Sequence, residues 1–196
     1  MQKILWIDTE TTGTDPTANS IIEIAGIIDI DGKKVSEFDF FVRPHPDFLI
    51  DEKSIGIHNI SIEQMLSFPE TSSAYRQLLS VFGKYIDKFN REDKFSIAGQ
   101  NVKFDLDFLS HFFMREKDVY LGSWIDFRKR VELYDITKAM QSLGFIQSES
   151  LSLEPLCKEF GIEIKPHNAL SDISATRELY YQIKNNLKWC REDSLG

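Results

Sequence analysis

The sequence predicts an α/β fold: a mixed central sheet of about five strands with helices on both faces. Three observations predict it. Strand-like apolar runs come first in the chain, an Asp-Gly pair joins two of them as a hairpin, and short strand and helix patterns then alternate.

Lys3 to Thr9 reads as a buried first strand, ended by the turn residues Thr12, Gly13, Asp15 and Pro16. Ser20 to Ile30 is a second strand rich in isoleucine. Asp31-Gly32 turns it into a third, Val35 to Arg43, so these strands pair antiparallel. Ser61 to Ser67 reads as a helix, and Thr71 to Phe89 as a longer one with Leu78, Leu79, Phe82, Tyr85, Ile86 and Phe89 at helical spacing. Asn90 to Lys94 is a polar break. Phe95 to Gly99 is a short strand and Lys103 to Arg115 a helix. Lys117 to Ser123 reads as a loop, and Arg130 to Leu143 holds a short strand or a helix. Leu151 to Phe160 is a helix stopped by Gly161, and Asn168 caps a last helix running to about Lys188. No repeat or linker interrupts this order, which gives one domain over residues 1–190 and a tail at 191–196.

The 196 residues are 42% hydrophobic and 28% charged, enough for one sizeable core. No stretch approaches membrane-spanning length and the N-terminus has no secretory pattern, so the expectation is a soluble cytoplasmic protein. Cys157 and Cys190 lack CxxC spacing and read as reduced, inert thiols. A net charge of −8 argues against gripping long nucleic acid through an extended basic face. It leaves room for a site in which cations, carried by surplus carboxylates, meet phosphates. Trp6, Trp124 and Trp189 read as packing residues, and the basic cluster Arg128, Lys129, Arg130 as a solvated face first and as a contact to substrate backbone second.

In "LWIDTETTG", Asp8 and Glu10 are two apart on a strand, so they project together while Thr9 faces away. "GQNVKFDLDF" places Asp105 at the start of a helix after a short strand; Asp107 belongs to a solvated helix face. In "PHNALSDISATREL", Pro166 keeps Lys165 out of helical geometry, so His167 lies in a loop and Asp172 in the first turns of the last helix. Four carboxylates brought close together repel one another strongly unless cations sit among them, and hard oxygen donors suit Mg²⁺ or Mn²⁺. Two such ions can clamp the attacking and leaving oxygens of a phosphodiester. His167 is the nearby group whose ordinary pKa lets it take a proton from water near neutral pH.

In order along the chain, "DTETTG", "NVKFD" and "HNALSD" resemble the three motifs of the DEDDh 3′-5′ exonucleases, the group that includes the proofreading epsilon subunit of bacterial DNA polymerase III, ribonuclease T and oligoribonuclease. "IIEIAGI" and "GIHNIS" extend the resemblance over nearly the whole chain. It implies a ribonuclease H-like fold and a metal-dependent 3′-5′ exonuclease releasing nucleoside 5′-monophosphates from single-stranded DNA or RNA with a free 3′ hydroxyl. Asp8, Glu10, Asp105 and Asp172 are then ligands of two Mg²⁺ or Mn²⁺ ions and His167 the general base. Backbone or side chains of Thr11, Thr12 and Gly13 then meet the terminal nucleotide, Asn101 and Phe104 shape its pocket, and His58 either joins them or serves only its own turn. A homodimer and a DNA polymerase are the protein partners the resemblance admits; the short "WCREDSLG" end offers no long tether to a polymerase. The alternative is a nucleic-acid binding module without turnover, whose mark would be a missing carboxylate or histidine; all five are present. Asn59, Gln100 and Ile173 depart from the usual glycine, histidine and alanine, which bears on substrate preference.

Overall fold

The computed structural model describes residues 1–192, with side chains through Leu187. Among these residues five strands form one sheet in the order β3-β2-β1-β4-β5, from β1 (Lys3–Thr11), β2 (Ile21–Ile30), β3 (Lys33–Phe41), β4 (Phe95–Gly99) and β5 (Ile125–Glu132). β1 pairs antiparallel with β2, and β2 with β3; β1 to β4 and β4 to β5 are parallel. Asp31 and Gly32 both take positive φ (49° and 81°), the mirror-image turn that suits the twist of a two-residue hairpin.

Among the described residues seven α-helices accompany the sheet: α1 (Glu52–His58), α2 (Ile62–Ser67), α3 (Thr71–Phe82), α4 (Val102–Arg115), α5 (Leu133–Ser142), α6 (Leu153–Phe160) and α7 (Ala169–Glu192). The alternation of β1 sorts those that pack on it. Leu5 and Ile7 enter the core that holds Leu78 and Phe82 of α3 and Phe108 and Phe112 of α4. Ile4 and Trp6 join Ala169 and Ile173 of α7 on the opposite face. A third cluster, with Leu133, Leu156, Cys157 and Leu179, binds α5, α6 and α7 to one another. Asp29 of β2 is fully buried, and Trp6 Nε1 (3.0 Å), Arg177 Nε (2.9 Å) and Tyr181 Oη (2.8 Å) all donate to it, which fixes α7 on the sheet.

Several predicted boundaries move. The helix expected to reach Phe89 stops at Phe82, where Gly83 caps it and donates to the Leu79 carbonyl. Tyr85 and Ile86 still pack on the core from a turn, so their spacing continues after the helix has ended, whereas Phe89 is 87% exposed. The helix α1 lies in a stretch for which the sequence pattern predicts none; Asn59 closes it at φ +57°, a left-handed position that asparagine tolerates better than other residues with a side chain. β5 begins at Ile125 and not near Arg130, and the stretch predicted as a strand or a helix contains one of each. The capping role of Asn168 holds, its Oδ1 accepting from Ser171 N, but α7 continues past Lys188 to Glu192, so the tail expected from residue 191 starts inside the helix. Trp6 and Trp124 are buried, as packing residues should be; the Trp189 and Cys190 side chains lie outside the described residues. No described helix is long and apolar enough to cross a membrane.

Candidate active site

β1 is central in the sheet: β4 pairs with it over Ile4–Trp6, and β2 holds it along its whole length, Asp8 opposite Ala25 and Glu10 opposite Glu23. Asp8 and Glu10 leave that end on the face covered by α7, as the two-residue spacing requires. Asp172, in the first turn of α7, meets them there: one carboxyl oxygen from each of the three lies within 4.8 Å of the others. Asp105 approaches from the other face. It is almost fully buried in α4, and Thr9 Oγ1 donates to its Oδ1 at 2.8 Å. Thr9 does face away from the acid pair, and in doing so it orients the fourth acid.

The electrostatics follow from this crowding. Burial, then the charges of Asp105, Glu10 and Asp172, hold the Asp8 carboxyl well above the usual carboxylate range. Burial and Asp172 push Glu10 up to about 7. Burial raises Asp105 to about 7 against the opposing effect of the Thr9 hydroxyl. Asp172 rises to about 6, again through burial, with the His167 backbone amide pulling the other way. No ion pair among the described residues involves any of these four, and Asp172 Oδ1 is buried without a hydrogen-bond partner. Clustered carboxylates without a cationic partner, one with an unused oxygen, form the hard-donor set that a divalent cation completes.

His167 sits just ahead of α7 at φ +63°, its backbone N–H donating to Asp172 Oδ2 at 3.0 Å and its imidazole exposed. His58 lies close enough for the charge of His167 to act on it; burial first, then that charge, depress its pKa. His58 Nδ1 accepts from Ile60 N at 3.0 Å, so its ring proton resides on Nε2, which is buried without a partner.

The remaining expected residues divide. Thr11 and Gly13 follow directly on Glu10, and Thr11 Oγ1 donates to the Gly13 carbonyl at 2.6 Å. Thr12 is fully buried, its hydroxyl donating to the Leu49 carbonyl and accepting from Ser20 N, so its side chain holds the loop together and cannot reach a nucleotide. Asn101 is exposed at φ +60° at the start of α4, and Phe104 is half-buried against Phe108. Gln100 donates to the Leu151 carbonyl at 2.8 Å, tying β4 to the approach of α6, and Ile173 packs between α7 and the sheet. Two supporting residues have roles that no motif assigns. One is Thr9, signalled only by its facing α4. The other is Glu132, whose carboxylate accepts from Asn101 N (2.6 Å), Val102 N (2.8 Å) and Tyr134 N (3.2 Å), capping α4 and α5 together.

The Exonuclease family model (RNase_T) matches residues 5–180. The chain is 28% identical to a "DNA polymerase III subunit epsilon-like protein" of Rhodobacter capsulatus over 185 residues, 92% of this chain and 23% of that protein. It is 27% identical to the DNA polymerase III subunit epsilon of Rickettsia felis over 186 residues, 90% of this chain and 72% of that one. The PolC-type DNA polymerase III of Oceanobacillus iheyensis is matched over only 11% of its length. Among solved structures, E. coli exonuclease I in complex with a dT13 oligonucleotide superposes with a TM-score of 0.81 at 22% identity, covering 98% of this chain and 43% of that one. The sheet and its helices are thus those of the ribonuclease H-like exonuclease fold, and the chain spans less than half the length of several proteins it matches.

Proposed function

This chain belongs to the RNase_T exonuclease family, and from that premise we propose that it is a metal-dependent 3′-5′ exonuclease, releasing nucleoside 5′-monophosphates from the 3′ end of single-stranded DNA or RNA. The observation that carries the proposal is the convergence of Asp8, Glu10 and Asp172 within 4.8 Å, with the charge of buried Asp105 acting on Asp8 and no side-chain cation paired with them among the described residues. Asp8, Glu10 and Asp172 would hold one Mg²⁺ or Mn²⁺ ion, and Asp8 with Asp105 a second. When bound, such ions lower the pKa of water and stabilise charge on the phosphodiester oxygens.

The protein's own groups do the rest. Pairing with β2 fixes Asp8 and Glu10, and the hydroxyl of Thr9 fixes Asp105. His167 takes the proton from the attacking water; its exposed ring can reach solvent, and its backbone bond to Asp172 keeps it beside the acids. Water oxygen joins phosphorus as the bond from phosphorus to the 3′ oxygen breaks, leaving a nucleoside 5′-monophosphate and a strand one nucleotide shorter with a new 3′ hydroxyl. The tight turn at Thr11 and Gly13 seats the terminal 3′ hydroxyl and excludes an internal nucleotide, with Asn101 and Phe104 beside it. Residues 1–190 act as one exonuclease unit, in keeping with the family match over 5–180.

Incubation of the protein with a 5′-labelled single-stranded oligonucleotide and Mg²⁺ or Mn²⁺ tests this. A ladder shortening from the 3′ end is expected. No degradation with either metal, or a His167→Ala rate equal to wild type, overturns it.

A further inference from the structure

Beside the carboxylates lies a groove of about 720 Å³ between the start of α4, the end of β5 and the start of α5. Alternation along β5 sends Arg128, Arg130 and Glu132 into it while Lys129 points elsewhere, and Lys103 and Tyr134 complete its walls. Two acids here are occupied, while a third, the exposed Asp135, lines the groove without an ion pair among the described residues. Glu132 is committed to three backbone amides at two helix starts, and Asp126 takes Arg128 and Lys129. Arg130 has no ion-pair partner among the described residues, and Arg128 is 90% exposed despite its bond to Asp126. In a chain of net charge −8 this is a local cationic stripe, on an edge strand whose outer side is unpaired among the described residues. The groove also adjoins the site. The first turn of α4 lines it and carries Asp105, and the charge of Glu132 is felt there.

We propose that this groove seats the nucleotides on the 5′ side of the scissile bond, with Arg128 and Arg130 meeting backbone phosphates and the half-exposed ring of Tyr134 stacking on a base. The ligand is a single-stranded phosphodiester chain. Guanidinium groups offer paired N–H donors that match phosphate oxygens, and an aromatic face accepts any base. Arg128 and Arg130 are exposed, as a solvated face requires, and strand geometry puts both on the same wall of the groove. This inference rests on the exonuclease reading, because it takes the bond cut at the carboxylates as its reference point.

The test has two arms. In EDTA, binding of a labelled single-stranded decamer is measured across salt concentrations for wild type, Arg128→Ala/Arg130→Ala, Tyr134→Leu and Tyr134→Phe. With Mn²⁺, kcat/KM is measured on oligomers from dinucleotide to decamer. The double arginine variant is expected to bind the metal-free decamer about ten-fold more weakly, with a salt slope shallower by about 0.7 for each phosphate that no longer meets an arginine. Its deficit in kcat/KM grows with oligomer length, and Tyr134→Phe retains the affinity that Tyr134→Leu gives up. Wild-type affinity and slope in the double variant, or a deficit equal at every length, overturns the groove. If the wild-type protein cuts nothing, the exonuclease reading falls while the metal-free arm still decides whether the groove binds a strand.

Discussion

Asp8 and Glu10 stand on an inner strand, held there in register by β2, whereas His167 rides an exposed left-handed residue between Pro166 and the cap of α7. The two supports suit two tasks. Groups that must stay close despite mutual repulsion need a backbone that cannot yield, and the inner strand of a sheet supplies one. A group that exchanges protons with solvent needs exposure, and a loop residue tied by a single amide to Asp172 has it. The acids therefore work against the stability of the fold, and the histidine is neutral to it.

The largest effect expected from that contrast is in Asp8→Asn. Activity falls by about 10³-fold, the scale of removing a preorganised charge, while the metal-free protein melts at a higher temperature because a buried repulsion is gone. Calorimetry in EDTA beside an oligonucleotide assay checks both; a lower melting temperature would show that the acids are not in conflict. His167→Ala is expected to lose about 10²-fold in kcat with its melting temperature unchanged, since the ring is exposed. A melting shift equal to that of Asp8→Asn would erase the contrast.

The pH dependence of stability sharpens it. A carboxyl whose folded pKa stands above its unfolded one binds its proton more tightly when folded, so its stabilising contribution is complete below the unfolded value and disappears as pH rises through the folded one. Glu10 and Asp105 are raised to about 7 and Asp172 to about 6, from ordinary values of 4.5, 3.8 and 3.8. In EDTA the melting temperature should therefore fall between pH 5 and pH 8, and added Mg²⁺ or Mn²⁺ should remove most of that slope. A flat EDTA profile would mean that the acids do not crowd one another in solution. The smallest effect lies away from the site: Asn59→Ala should cost about 1 kcal/mol in chemical denaturation, because alanine resists the left-handed position that ends α1.

Legibility in the sequence follows where the physical cause is local. β1, β2 and β4 are readable because apolar runs flanked by turn residues need no distant partner to be strands. β5 is obscured because three basic residues on an edge strand look like a solvated loop, and its strand character comes from pairing with β4. The end of α3 is hidden because burial of Tyr85 and Ile86 continues past Gly83 without helical backbone. At the site, strand spacing puts Asp8 beside Glu10, while Asp172 and His167 are marked by sharing a loop-to-helix segment and by the order of the three motifs. The bond of the Thr12 hydroxyl to Leu49 is hidden because its partner is distant in the chain, and the roles of Thr9 and Glu132 exist only once α4 is docked.

The knot around Asp29 sets how far a disturbance can travel. Arg177 joins it only five residues beyond Asp172 on the same helix, so α7 cannot slide along the sheet without abandoning a negative charge in an apolar interior. Tugging on the distal half of α7 is thus stopped at this rivet, and the front turn bearing Asp172 keeps its register while the far end gives way.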